Sequence, residues 1–106
     1  MFSEITDIWF RSVCSLEQIA EALGLSDATY DAEDYWAWMI GTLANVELDV
    51  TRTHTCPAEL TDTRIFQVDS GTIGKDLIAE IVARLRRVTS EPIMMRPVAV
   101  SLREQF

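Results

Sequence analysis

Apolar and polar positions divide the chain into segments of different period. Residues Ile5 to Val13 alternate loosely around Ile8, Trp9 and Phe10, which predicts a strand partly buried on both faces. Leu16, Ile19, Ala20 and Leu23 recur at helical spacing and form one apolar face. The ends of that helix are marked. Ser15-Leu16-Glu17-Gln18 has the form of a capping box, in which Ser15 accepts from the Gln18 N–H and Gln18 reaches back. Gly24 suits the left-handed C-cap.

Ser26 to Asp34 has no apolar period and is rich in acids, so a loop is expected there. Tyr35 to Leu43 fits two periods. Trp36, Trp38 and Ile40 at spacing two suggest a strand, while Trp36, Met39, Ile40 and Leu43 fit a helical face. Aromatic side chains suit the pleated surface, so a strand is the preferred reading.

Val46 to Thr55 alternates most cleanly. Val46, Leu48 and Val50 face one way, continued by Arg52 and His54; Glu47, Asp49, Thr51, Thr53 and Thr55 face the other. Pro57 ends the run. Thr63 to Asp69, with Ile65, Phe66 and Val68, is the next strand, joined to the last by a long-looped hairpin. Ile73, Leu77, Ile78, Ile81, Val82, Leu85 and Val88 form a wide stripe that predicts a helix over Ile73 to Val88. Asp76, Glu80 and Arg84 line its outer side at i, i+4, acid before base. After Pro92, Ile93 to Met95 suits a final strand, and Pro97 confines any continuation to a sheet edge.

The order β-α-(β)-β-β-α-β, with two helices separated by a hairpin, is the ferredoxin-like arrangement. It predicts one α+β domain over residues 1–106 with both helices on one face of an antiparallel sheet and the other face left for a partner. Tyr35–Leu43 is then an insertion, or an extra strand that lengthens the meander. A chain of 106 residues with 48% apolar and 25% charged positions supports one core of this kind. No apolar run approaches the roughly 20 residues of a membrane helix. Glu4 and Asp7 stand where a secretory leader carries positive charge, so a cytoplasmic protein with free Cys14 and Cys56 is expected, without membrane association.

Charge changes this picture most. The net charge is −8, but residues 1–50 hold ten acids against one base, Arg11, whereas residues 51–106 hold seven acids and eight bases. Such asymmetry points to an interaction surface. It argues against nucleic acid as a partner, because nucleic-acid binders present a basic face.

The candidate chemistry is sparse. Ser70-Gly71-Thr72-Ile73-Gly74-Lys75 resembles a phosphate loop, but Asp69 stands where the first glycine is required and Asp76 where Ser or Thr is required. His54 and Cys56 lie two apart on a strand, about 7 Å, too far for direct proton transfer. Cys14, His54 and Cys56 match no zinc spacing. Asp27, Asp31, Glu33 and Asp34 lack the calcium-loop pattern and its glycine. No catalytic residue, metal or cofactor is assigned. Two clusters remain. The acids Asp27, Asp31, Glu33 and Asp34 border Tyr30, Tyr35, Trp36 and Trp38; with Glu47 and Asp49 they suit contact with a basic protein, aromatics as anchors and acids as steering charges. Arg52, His54 and Arg64 suit a small anion pocket, although ion pairing of these bases with Asp62 or Asp69 accounts for them as well.

In general character the chain resembles the small acidic immunity proteins of bacterial toxin systems, such as contact-dependent growth inhibition. The stretches YWAWMIGTL, VELDVTRTHT and TRIFQVD contribute to that resemblance. It implies a non-catalytic inhibitor that neutralises a cognate basic toxin, a nuclease by expectation, one to one through Asp27, Asp31, Glu33, Asp34, Trp36, Glu47 and Asp49. The alternative is an anion- or small-molecule-binding α+β module, weakly enzymatic at most, using Arg52, His54 and Arg64.

Overall fold

The computed structural model describes residues 4–53, 60–69 and 72–97. The elements run in the order β1 (Glu4–Ser12), α1 (Leu16–Leu23), β2 (Ser26–Ala32), β3 (Trp36–Leu43), β4 (Val46–Thr53), β5 (Thr61–Gln67), β6 (Ile73–Gly74), α2 (Lys75–Leu85) and β7 (Met94–Pro97). The fold is α+β, two helices on a seven-stranded antiparallel sheet ordered β2-β3-β4-β5-β1-β6, with β7 also paired to β1. Ile8 and Trp9 pair with β5 on one side and β7 on the other. Ile5 pairs with both Ile73 and Pro97, so β6 resumes the side of β1 that β5 occupies further along.

Alternation on these strands sorts the side chains onto two faces. Met39, Val50, Ile65 and Ile8 fall in register in one row and are wholly buried. They share a core with Leu16, Ile19 and Leu23 of α1 and Ile78, Ile81 and Leu85 of α2, so the helices cover this face. The opposite row reads Asp31, Trp38, Thr51, Arg64, Trp9 and Met94 from β2 to β7.

The capping box is present: Ser15 Oγ accepts from the Gln18 N–H at 3.1 Å, and Gln18 Oε1 accepts from the Ser15 N–H at 2.8 Å. Gly24 has φ +72° and donates to the carbonyls of Ala20 and Glu21. Arg84 of α2 bonds Glu80 at 2.7 Å and donates from Nη1 to the Leu23 carbonyl, tying the end of α1 to α2. Ser12 Oγ donates to the Val88 carbonyl at 2.7 Å and Thr89 Oγ1 to that of Arg11, which fixes the exit of α2 against β1.

Three expectations change. Ser26–Asp34 is not a loop: Ser26–Ala32 is strand β2, paired with β3 from Ser26↔Thr42 to Ala32↔Ala37. It forms the sheet edge and is exposed along nearly its whole length, so it needs no apolar alternation. The second helix begins at Lys75 instead of Ile73, because Ile73 and Gly74 pair with β1. It ends at Leu85, short of Val88. The strand expected from Thr63 begins at Thr61, because Thr61 pairs with Ser12. A strand does form within Tyr35–Leu43, over Trp36–Leu43, and Ala44 and Asn45, both at positive φ, turn it into β4.

Candidate functional site

The face away from the helices holds an unusual set of side chains. Trp36 is 50% exposed, Met94 61%, and Trp9, Trp38, Ile40 and Phe66 are half-buried. This is an apolar strip without a covering layer among the described residues, and its charges are unevenly placed along it.

On the β2–β4 side the charges are negative. Asp31 pairs with Trp38 and Asp49 with Ile40 and Phe66 in the register. Glu47 lies on the same face as Asp49, two residues along β4. Glu33 and Asp34 form the turn between β2 and β3, where the Glu33 N–H donates to the Trp36 carbonyl at 2.7 Å. Asp27 lies at an irregularity of β2 with φ 55°. Asp31, Trp36, Glu47 and Asp49 thus share the uncovered face, with Glu33 and Asp34 at its corner; Asp27 lies further along the edge. Burial raises the pKa of Asp49 above the usual carboxylate value, opposed by the hydrogen bond from Thr51 Oγ1 and by the nearby Arg64.

On the β5–β1–β7 side the face carries Arg11, Arg64 and Arg96. Asp7 lies beneath them with its side chain only 1% exposed. Arg64 Nε donates to Asp7 Oδ2 at 2.8 Å. Its guanidinium also lies 4.3 Å from the Phe66 ring centre and 6.0 Å from that of Trp9. Arg96 Nε stands 3.5 Å from Asp7 Oδ1, close enough for charge attraction, but Oδ1 accepts no hydrogen bond. Trp9 Nε1 is also buried without an acceptor among the described residues. Asp62 is held outside this group by Arg11 at 3.1 Å. Arg64 therefore pairs with Asp7, and not with Asp62 or Asp69.

The anion cluster expected from Arg52, His54 and Arg64 does not assemble among the described residues. Arg52 pairs with Thr63 in the register and Arg64 with Thr51, so the two side chains project to opposite faces. Arg52 Nη1 donates to the Cys14 carbonyl at 2.6 Å, and its other nitrogens bond the Ser12 carbonyl and Thr63 Oγ1. It braces the turn from β1 into α1, and burial lowers its pKa below the usual guanidinium value. His54 and Cys56 lie outside the described residues.

Between the two charged sides is a hollow of about 660 Å³. Thr51 and Thr53 lie between Trp36 on one flank and Arg64 and Trp9 on the other, with Arg96 and Asp62 also lining it. Small threonines between large neighbours leave the depression. Sequence reasoning missed Asp7, Trp9 and Arg96 here. The one available signal was an acid, Asp7, at an otherwise apolar strand position. No described group of His, Cys, Asp and Glu is arranged to hold a metal ion, and no described helix is long and apolar enough to cross a membrane. No protein-family model matches the chain, and no significant match was found among curated proteins or solved structures.

Proposed function

We propose that the chain is a non-catalytic, cytoplasmic binding protein that masks a basic protein one to one, in the manner of the immunity proteins it resembles. The observation that supports this is the uncovered sheet face: an aromatic strip through Trp36 and Trp38, bordered by Asp31, Glu47 and Asp49 and cornered by Glu33 and Asp34. Buried aromatics supply most of the binding energy at protein interfaces, and surrounding charges set encounter rate and register. We read the fold as ferredoxin-like in β1, α1, β4, β5, α2 and β7, whose strands lie in the order β4-β5-β1-β7. The β2–β3 hairpin is then an insertion that widens the sheet and brings most of the acids and Trp36. The basic partner is a toxin, and a nuclease is the natural class, since an acidic surface competes for a groove built for phosphates.

The test is co-purification with the product of the adjacent gene, followed by association kinetics. A stable one-to-one complex is expected. Asp31→Lys, Glu33→Lys and Asp34→Lys together should slow association by about tenfold or more at low salt, with a smaller effect at high salt. Trp36→Ala should weaken binding by about 2 kcal/mol through faster dissociation. Absence of any complex, or a loss from charge reversal that ignores salt, defeats the reading.

A further inference from the structure

We propose that the hollow over Thr51 and Thr53 is a binding site for a small planar anion: a carboxylate or phosphate ester on a flat apolar body. The charge balance around it carries the inference. Arg64 and Arg96 share one carboxylate, Asp7, beneath them, while Asp62 is taken by Arg11. Within the lining of the hollow, the guanidinium groups of Arg64 and Arg96 stand against one carboxylate, Asp62, which Arg11 already holds. Asp49, one register pair beyond Thr51, does not line the hollow; it accepts from Thr51 Oγ1.

The unmet hydrogen bonds beside the hollow are one of each kind, an acceptor at Asp7 Oδ1 and a donor at Trp9 Nε1, so the exposed guanidinium groups decide the sign. Trp9 Nε1–H is buried and has no acceptor among the described residues. Arg96 is 62% exposed and touches Asp7 only by charge at 3.5 Å, so its guanidinium is available to a second acid. A site that offers exposed guanidinium N–H groups seeks an acceptor, and bidentate recognition of carboxylate or phosphate is what guanidinium geometry favours. The flat body has its place too. Trp36 and Trp9 flank a threonine floor, and about 660 Å³ lies within the range of small-molecule sites. Arg64 already stacks on Phe66, so it is held in position before a ligand arrives.

This site uses Arg96 and Trp9 with Arg64; Arg52 also lines the hollow, but its guanidinium is spent on the Cys14 and Ser12 carbonyls and Thr63 Oγ1. It needs no protein partner, so its failure leaves the masking role standing, and the reverse. The test follows the three tryptophan indole N–H signals by proton–nitrogen NMR while benzoate or phenyl phosphate is added, with benzyl alcohol and benzylammonium as neutral and cationic controls. Saturable shifts of the Trp9 and Trp36 signals are expected with both anions, with the controls bound at least about tenfold more weakly, the worth of one charge-assisted hydrogen bond. Arg96→Gln, at an exposed position, should weaken anion binding roughly tenfold while the rest of the spectrum is unchanged. Thr53→Phe should fill the hollow and abolish the shifts with Arg96 intact. Lack of saturation with either anion, benzylammonium binding as well as benzoate, or an Arg96→Gln protein that binds as well as the parent each overturns the proposal.

Discussion

At the scale of single residues, buried charge decides what can be changed. Asp7 is nearly inaccessible and, among the described residues, makes its one hydrogen bond with Arg64. Arg64→Ala would leave that carboxylate buried with only a distant Arg96, and should cost about 3 kcal/mol. Adding Asp7→Ala to it removes the orphaned charge, so the double variant should be more stable than Arg64→Ala alone. Urea unfolding of the two variants checks this, and a double variant that is weaker still would contradict the pairing. Asp49 shows the opposite case. Its folded pKa lies above the ordinary 3.8 because burial disfavours its ionised form. The folded protein thus binds that proton more tightly than the unfolded chain. The group's stabilising contribution is fully present below 3.8 and is lost as pH rises through the folded value. Asp49→Asn keeps an acceptor for Thr51 and removes the charge. It should therefore be the more stable protein at pH 7, by less than about 1 kcal/mol because the site is partly solvated, and lose that advantage toward pH 3. Parallel denaturant curves at the two pH values measure it. None of the Asp7 contacts was legible in the sequence, because Arg64 and Arg96 lie 57 and 89 positions away and pairing across strands leaves no local pattern.

At the scale of elements, legibility followed burial. α1 was readable to its caps because both ends are encoded locally, by Ser15 and Gln18 and by Gly24. β4 was readable because one face is buried and the other polar. β2 was not, since an edge strand with both faces in water carries no hydrophobic period, and its SDATYDA sequence reads as a loop. Its backbone is held by β3 instead. The start of α2 was misplaced for a related reason: Ile73 continues the helical stripe, yet its backbone belongs to β1. The turn from β3 to β4 places Ala44 at φ 52° and Asn45 at φ 64°, the pattern of a two-residue type I′ hairpin. Alanine pays a steric cost in that region that asparagine largely avoids. Ala44→Asn should therefore stabilise by about 0.5–1 kcal/mol, a rise of roughly 3–6 °C in Tm by calorimetry. A fall would mean that the Ala44 methyl contributes packing that outweighs its strain.

At the scale of the whole molecule, the division into a covered and an uncovered face organises everything else. The acidity of the first 50 residues, visible in composition alone, becomes a position in space only because β2, β3 and β4 lie side by side at one end of the sheet. Arg64 and Arg96 of the later half come to the other end through β5 and β7, so the uncovered face is bipolar. Sequence order concealed this, since β1 crosses between the two halves of the chain. That placement of β1 also has a consequence for biosynthesis. The ribosome delivers β1 first, yet its flanking strands, β5, β6 and β7, are made only after residue 60. Until then Ile8 and Phe10 have no sheet to join, whereas β2, β3 and β4 can pair in turn as they emerge. Of these strands the first made is thus the last to be enclosed, and until β5 has been made the nascent chain carries an adhesive segment for a chaperone to hold.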